Sequence, residues 1–230
     1  MIWSRPGLGL WQRRAAVTAA AWLVVSGCDA PTSPRPTFAY DPTTLSRGVL
    51  YRWPTGRVIH VLVSDETAAS ATSLSLAVRR AIAVWNDVPT FGEFTLTMTT
   101  RGEEADIIVY DRASPLPIAP GACAFDPQGS AGYTYLCPST SAPALAQHFA
   151  LSSGTLTAVS VVIRVDRGRG ADQAAYDRLV LHEFGHALGI GGHSDRPSDL
   201  MFGAPQVDGP SAADKQTLRY LLGQRAALTL

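Results

Sequence analysis

The run His182-Glu183-Phe184-Gly185-His186-Ala187-Leu188-Gly189 constrains this chain more than any other feature. His182 and His186 are four residues apart, so on a helix both imidazoles fall on one face, one turn from each other. Val180 and Leu181 precede the run, and Ala187 and Leu188 close it, so the helix is expected to be largely buried. Two imidazoles and a carboxylate on a buried helix need partners, and a metal ion supplies them. A surface helix that happened to carry polar residues would not have these apolar flanks. Zinc prefers nitrogen ligands, and a catalytic zinc site takes three protein ligands and keeps one position open for water. Glu183, at the edge of the same face, is placed to contact that water rather than the ion.

A third ligand must come from beyond Gly189, where His193, Asp195 and Asp199 are the candidates. Imidazole suits zinc well, and a three-imidazole site leaves the ion more positive than a carboxylate site would, which favours ionising the bound water. His193 is therefore preferred, with Asp195 next, since Asp also serves as a zinc ligand. Gly191 and Gly192, having no Cβ, allow a tight or left-handed turn ahead of His193.

The motif HEFGHALG, followed by Gly, His and Ser, resembles the metzincin superfamily of zinc peptidases, and most closely its matrixin branch. The resemblance spans about residues 50–224 and is strongest over 182–202. It implies that Gly189 lets the chain leave the helix so that His193 swings back to the ion. It also implies that Asp199-Leu200-Met201-Phe202 is a Met-turn, with Met201 packed beneath the metal and not bound to it. Arg52-Trp53-Pro54 and the closing segment from Ser211 to Gly223 look matrixin-like too. One departure is clear: the family's third His comes three residues after the Gly, where this chain has Gly192, and His193 is one later. The separation from His193 to Met201 matches the family, which confines the extra residue to Ile190-Gly191-Gly192.

The pattern of elements agrees with an α+β domain. Strands are expected over 58–63, 94–99, 106–110 and 157–165, with edge strands near 122–125 and 133–136. Helices are expected over 70–87, 171–188 and 211–222, the last with Ser211 and Asp214 at capping-box spacing. The resemblance implies a mixed twisted sheet with the active-site helix beneath a cleft and a C-terminal helix. His60 and His148, the remaining histidines, are read as ordinary strand or loop residues, so few ligands remain for a second, structural zinc, and a structural Ca2+ is left open.

Ahead of this domain the chain changes character. Arg5, Arg13 and Arg14 precede an apolar run from Ala15 to Val25, of signal-peptide length. The run ends in Val25-Ser26-Gly27-Cys28, which resembles a bacterial lipobox, in which the Cys is lipidated. Residues 1–27 are thus expected to be a lipoprotein signal peptide and 28–48, with Pro31, Pro34, Pro36 and Pro42, a tether to the domain at 49–230. The expected location is the periplasmic or cell-surface side of a bacterial membrane, anchored through lipid on Cys28. Cys123 and Cys137 remain as an even pair in an exported chain and are expected to form a disulfide. It would close a loop of about 15 residues, a contribution of roughly 3 kcal/mol in the chain-entropy model.

Lys plus Arg and Asp plus Glu are both 19, which argues against a nucleic-acid partner. The expected partner is instead a peptide or protein substrate, acted on by a monomer. The expected function is peptide-bond hydrolysis by a zinc metalloendopeptidase, with a metal-activated water and Glu183 as general base. The alternatives are a catalytically inactive lipoprotein of the same fold or a zinc hydrolase of non-peptide amides.

Overall fold

The computed structural model describes residues 38–44, 50–64, 74–111, 131–138, 150–151, 159–166 and 172–224. Residues 1–27, read as a signal peptide, and Cys28, Cys123, His148 and the strand expected near 122–125 lie outside the described residues.

Among the described residues eleven elements follow in order, one of them a short 3-10 turn, Gly102–Glu104. They are β1 (Tyr51–Arg52), β2 (Arg57–Ser64), α1 (Leu74–Asn86), β3 (Phe94–Met98), β4 (Ile107–Asp111), β5 (Gly132–Pro138), β6 (Ala150–Leu151), β7 (Val159–Val165), α2 (Gln173–Ala187) and α3 (Ala212–Gly223). Five strands form one sheet in the order β3-β2-β4-β7-β5. β3, β2, β4 and β7 run parallel, and β5 joins the edge antiparallel to β7. β1 and β6 make a separate antiparallel pair. The fold is α+β with a mixed sheet, as expected, although local periodicity does not carry the direction of β5.

The pairing explains the residue pattern. β4 reads Ile-Ile-Val-Tyr-Asp and is buried throughout, as a central strand covered on both faces must be. Alternate residues divide between the faces. Ile107, Val109, Val161 and Ile163 join the main core beneath the helices. Ile108, Tyr110 and Val162 form a smaller cluster on the other face. Parallel pairing of β2 and β3 needs a crossover, which α1 supplies.

Helix α2 is fixed from several directions. Asp172 caps its start, its carboxylate accepting from Ala175 N at 2.6 Å. Residues 180–187 are all buried. Trp85 Nε1 on α1 donates to Leu181 O at 2.9 Å. At the other end, Trp53 Nε1 donates to Ala187 O at 2.9 Å and Tyr51 Oη to His186 O at 3.0 Å. These last two aromatic donors serve carbonyls in the final turn, which a helix cannot fully satisfy itself. Helix α3 starts with the expected capping box: Ser211 Oγ accepts from Asp214 N at 3.1 Å, and Asp214 Oδ2 from Ser211 N at 2.8 Å.

Part of the stretch read as a tether is packed against the domain. Phe38 meets Tyr220 of α3 edge-on with ring centroids 5.1 Å apart, and Ala39 N donates to Thr217 Oγ1 at 3.2 Å. Pro42 is buried. The Pro-rich composition signalled an extended chain and gave no sign of where it lies.

Candidate metal centre

His182 and His186 project from consecutive turns of α2, and the loop after the helix brings His193 to them. Gly189 makes this return possible. Its φ of +121° is one that side-chain-bearing residues rarely adopt. A Cβ there would also stand 2.5 Å from Tyr51 O. The chain then tightens, with Gly191 N donating to Gly189 O at 2.9 Å across Ile190. The tight turn expected here is thus present, but neither Gly191 nor Gly192 is left-handed. Glycine is needed at 192 for space: the Asp41 carbonyl occupies the place of its Cβ.

The three rings form a triangle with centroids 4.8, 5.2 and 5.0 Å apart. One ligating atom from each lies within 4.8 Å of the others. Asp195 is exposed and outside this group. Asp199 is buried and accepts a short hydrogen bond, 2.5 Å, from Ser194 Oγ. Of the three candidate third ligands, only His193 reaches the pair.

The ring tautomers follow from the hydrogen bonds. His182 Nδ1 is 2.8 Å from Leu200 O, and His186 Nδ1 is 2.6 Å from Ile190 O. A carbonyl oxygen can only accept, so both Nδ1 atoms carry the proton and both Nε2 atoms present a lone pair. This arrangement orients metal-binding histidines and raises their basicity. His186 Nε2 and His193 Nε2 are 3.2 Å apart. Tetrahedral zinc with bonds of about 2.0–2.1 Å would place two ligand nitrogens about 3.3 Å apart, so this pair fits an ion between them. The widest gap in the triangle must close somewhat to do the same.

Burial keeps the imidazoles neutral, the form that binds metal. It lowers His182 from 6.5 to about 4, aided by His193 and opposed by the Leu200 hydrogen bond. It holds His186 well below its ordinary value, with His182 and His193 adding to the effect. His193, the most open of the three, is also lowered by burial.

Glu183 faces the same cleft, a cavity of about 610 Å³ lined also by Tyr51, Tyr133, Leu179 and Pro205. Burial raises its carboxyl to about 7, against the lowering effects of the Thr134 hydrogen bond and of Arg164. Thr134 Oγ1 donates to Glu183 Oε2 at 2.7 Å. Glu183 Oε1 lies where a Cβ of Gly132 would stand, so glycine at that point of β5 makes room for the carboxylate.

Met201, which the resemblance implied would pack under the metal, lies against α2 at Gly185. It is fully buried, and its sulfur fills the space beside Gly185 of α2. Asp214 fixes its turn: the buried carboxylate accepts from Leu200 N at 2.8 Å and from Met201 N at 3.3 Å. Sequence reasoning found Asp214 only as a capping residue and did not find Thr134, Gly132 or Tyr51. Tyr51 adjoins the noted Arg52-Trp53-Pro54, which is the one local hint among them.

These shifts imply a testable pH response of the metal-free protein. The unfolded His182 takes a proton near 6.5 and the folded one only near 4, so the unfolded state binds more protons between these values. Stability should therefore fall as pH drops through that window, on the order of 3 kcal/mol for His182. His186 adds in the same direction. Glu183 opposes, because its folded carboxyl takes a proton near 7 and its unfolded one near 4.5. Two histidines outweigh one carboxyl, so chelator-treated protein should lose melting temperature between pH 6.5 and 4.5. The loss should shrink in His182→Gln; an equal loss in both proteins would contradict the assignment.

No family model and no curated protein matches the chain. Among the solved structures similar to it are two of myroilysin. One aligns with a TM-score of 0.42 at 16% identity over 75% of this chain and 86% of that one. The other aligns with a TM-score of 0.41 at 16% identity over 77% of this chain and 100% of that one. The functional reading rests on the site itself.

Proposed function

We propose that this chain is a zinc-dependent endopeptidase of metzincin type, with His182, His186 and His193 as metal ligands and Glu183 as general base. The observation that carries the reading is the convergence of three neutral imidazoles, two with their tautomers fixed, beside a buried carboxylate in one cleft. When bound, zinc supplies Lewis acidity that polarises a peptide carbonyl and acidifies water. Glu183 accepts the proton of the attacking water and delivers it to the departing amine nitrogen. Thr134 holds one carboxylate oxygen, and the space at Gly132 admits the other, so the group stays aimed into the cleft. Tyr51 and Trp53 hold the end of α2, and with it the backbone of His186.

Digestion of a mixed peptide library, read by mass spectrometry, tests the reaction. Internal cleavages that stop with a chelator and return with zinc support it. Release of a non-peptide acyl group with all peptides intact would move the enzyme to another hydrolase class.

The reading extends to location. The charged start, apolar run and Val25-Ser26-Gly27-Cys28 support export and lipid anchoring through Cys28, with Cys123 and Cys137 bridged. Cys28→Ser should abolish lipid labelling and release the protein from membranes, and the exported parent should titrate no free thiol. Equal membrane recovery of both forms without label on the parent would refute the anchor, and two titratable thiols would refute the bridge.

A further inference from the structure

Residues 38–44 connect to the three-histidine cluster by two separate routes. The first runs through α3. Tyr40 Oη donates to Asp214 Oδ1 at 2.8 Å, and the same carboxylate accepts from Leu200 N and Met201 N. Leu200 in turn offers its carbonyl to His182 Nδ1. Tyr40 is thus three hydrogen bonds from a candidate ligand. The second route is steric. The Asp41 carbonyl sits where a Cβ of Gly192 would be, and Thr44 Oγ1 is 2.7 Å from that point. Gly192 immediately precedes His193. The segment holds its own shape by an Asx-type turn, with Asp41 Oδ1 accepting from Thr43 N at 2.8 Å and Thr43 Oγ1 at 2.7 Å.

We propose that residues 38–44 form a positioning strap for the metal centre, seating His193 through Gly192 and His182 through the Tyr40–Asp214 bond. The inference rests on the three-imidazole reading above and adds residues to it that touch neither metal nor substrate. It gives a physical role to the missing side chain at 192: the glycine is the seat for the strap. An ordinary connecting segment would need no such fit, and a Cβ at 192 would force strap and loop apart.

The test uses the full-length chain with Tyr40→Phe and Gly192→Ala. Zinc affinity is measured by competition with a chelator, and hydrogen exchange is followed at the Leu200 and Met201 amides. Gly192→Ala should weaken zinc about tenfold, the lower end of the cost of losing an outer partner of a metal ligand. Tyr40→Phe, which removes only a hydroxyl, should weaken it less and speed exchange at both amides. Zinc affinity and exchange equal to the parent's in Tyr40→Phe would overturn the strap, even if Gly192→Ala does not fold. A parent that binds no zinc would contradict the three-imidazole reading instead, and the exchange rates would still decide the strap.

Discussion

Replacing Glu183 with Gln is expected to lower peptide turnover by at least about a hundredfold, the lower end for lost general acid–base catalysis, while zinc content stays unchanged. That loss corresponds to about 2.7 kcal/mol of transition-state stabilisation. The substitution is chosen for its shape. An amide fits the space left by Gly132 and can still accept from Thr134 Oγ1, so the cleft keeps its geometry. What the amide cannot do is take a proton from water. Metal analysis and steady-state kinetics on the same preparation separate the two effects. A variant that loses its zinc would make Glu183 a structural group, and one that cleaves at the parental rate would remove it from the reaction.

The second large effect concerns the third ligand. His193→Ala should lose zinc and activity together, and affinity should fall by more than the roughly 10–100-fold that a lost outer partner costs. Asp195→Ala should keep both, because that carboxylate is exposed and lies outside the cluster. Metal content measured for the pair decides between them. The reverse pattern would place the ligand at Asp195 and break the three-imidazole account.

What could be read in advance was local. The four-residue spacing of His182 and His186, the apolar residues around them and the Ser211–Asp214 box are periodic or short-range signals, and each describes a helix as it stands. Ligand chemistry, the two glycines before it and the spacing to Met201 implied by the resemblance preferred His193 over the nearby carboxylates, and the loop does bring it to the pair. What escaped was long-range. Thr134 meets Glu183 only because β5 runs back along the sheet edge, 49 positions away in sequence. Tyr40 meets Asp214 across 174 positions, from a stretch whose prolines and small polar residues read as a tether. Gly192 was legible as a residue without a Cβ, but the reason for it was not. A sequence shows that a side chain is missing, and only the fold shows that a carbonyl from the N-terminal strap stands in its place.

The central claim is that three imidazoles hold one zinc ion, and X-ray absorption at the zinc edge of the purified full-length protein tests it most directly. Stoichiometric zinc is expected, with nitrogen or oxygen neighbours at about 2.0–2.1 Å, imidazole outer-shell scattering and no sulfur. Sulfur neighbours at about 2.3 Å, or a protein that retains no zinc after purification in its presence, would contradict it.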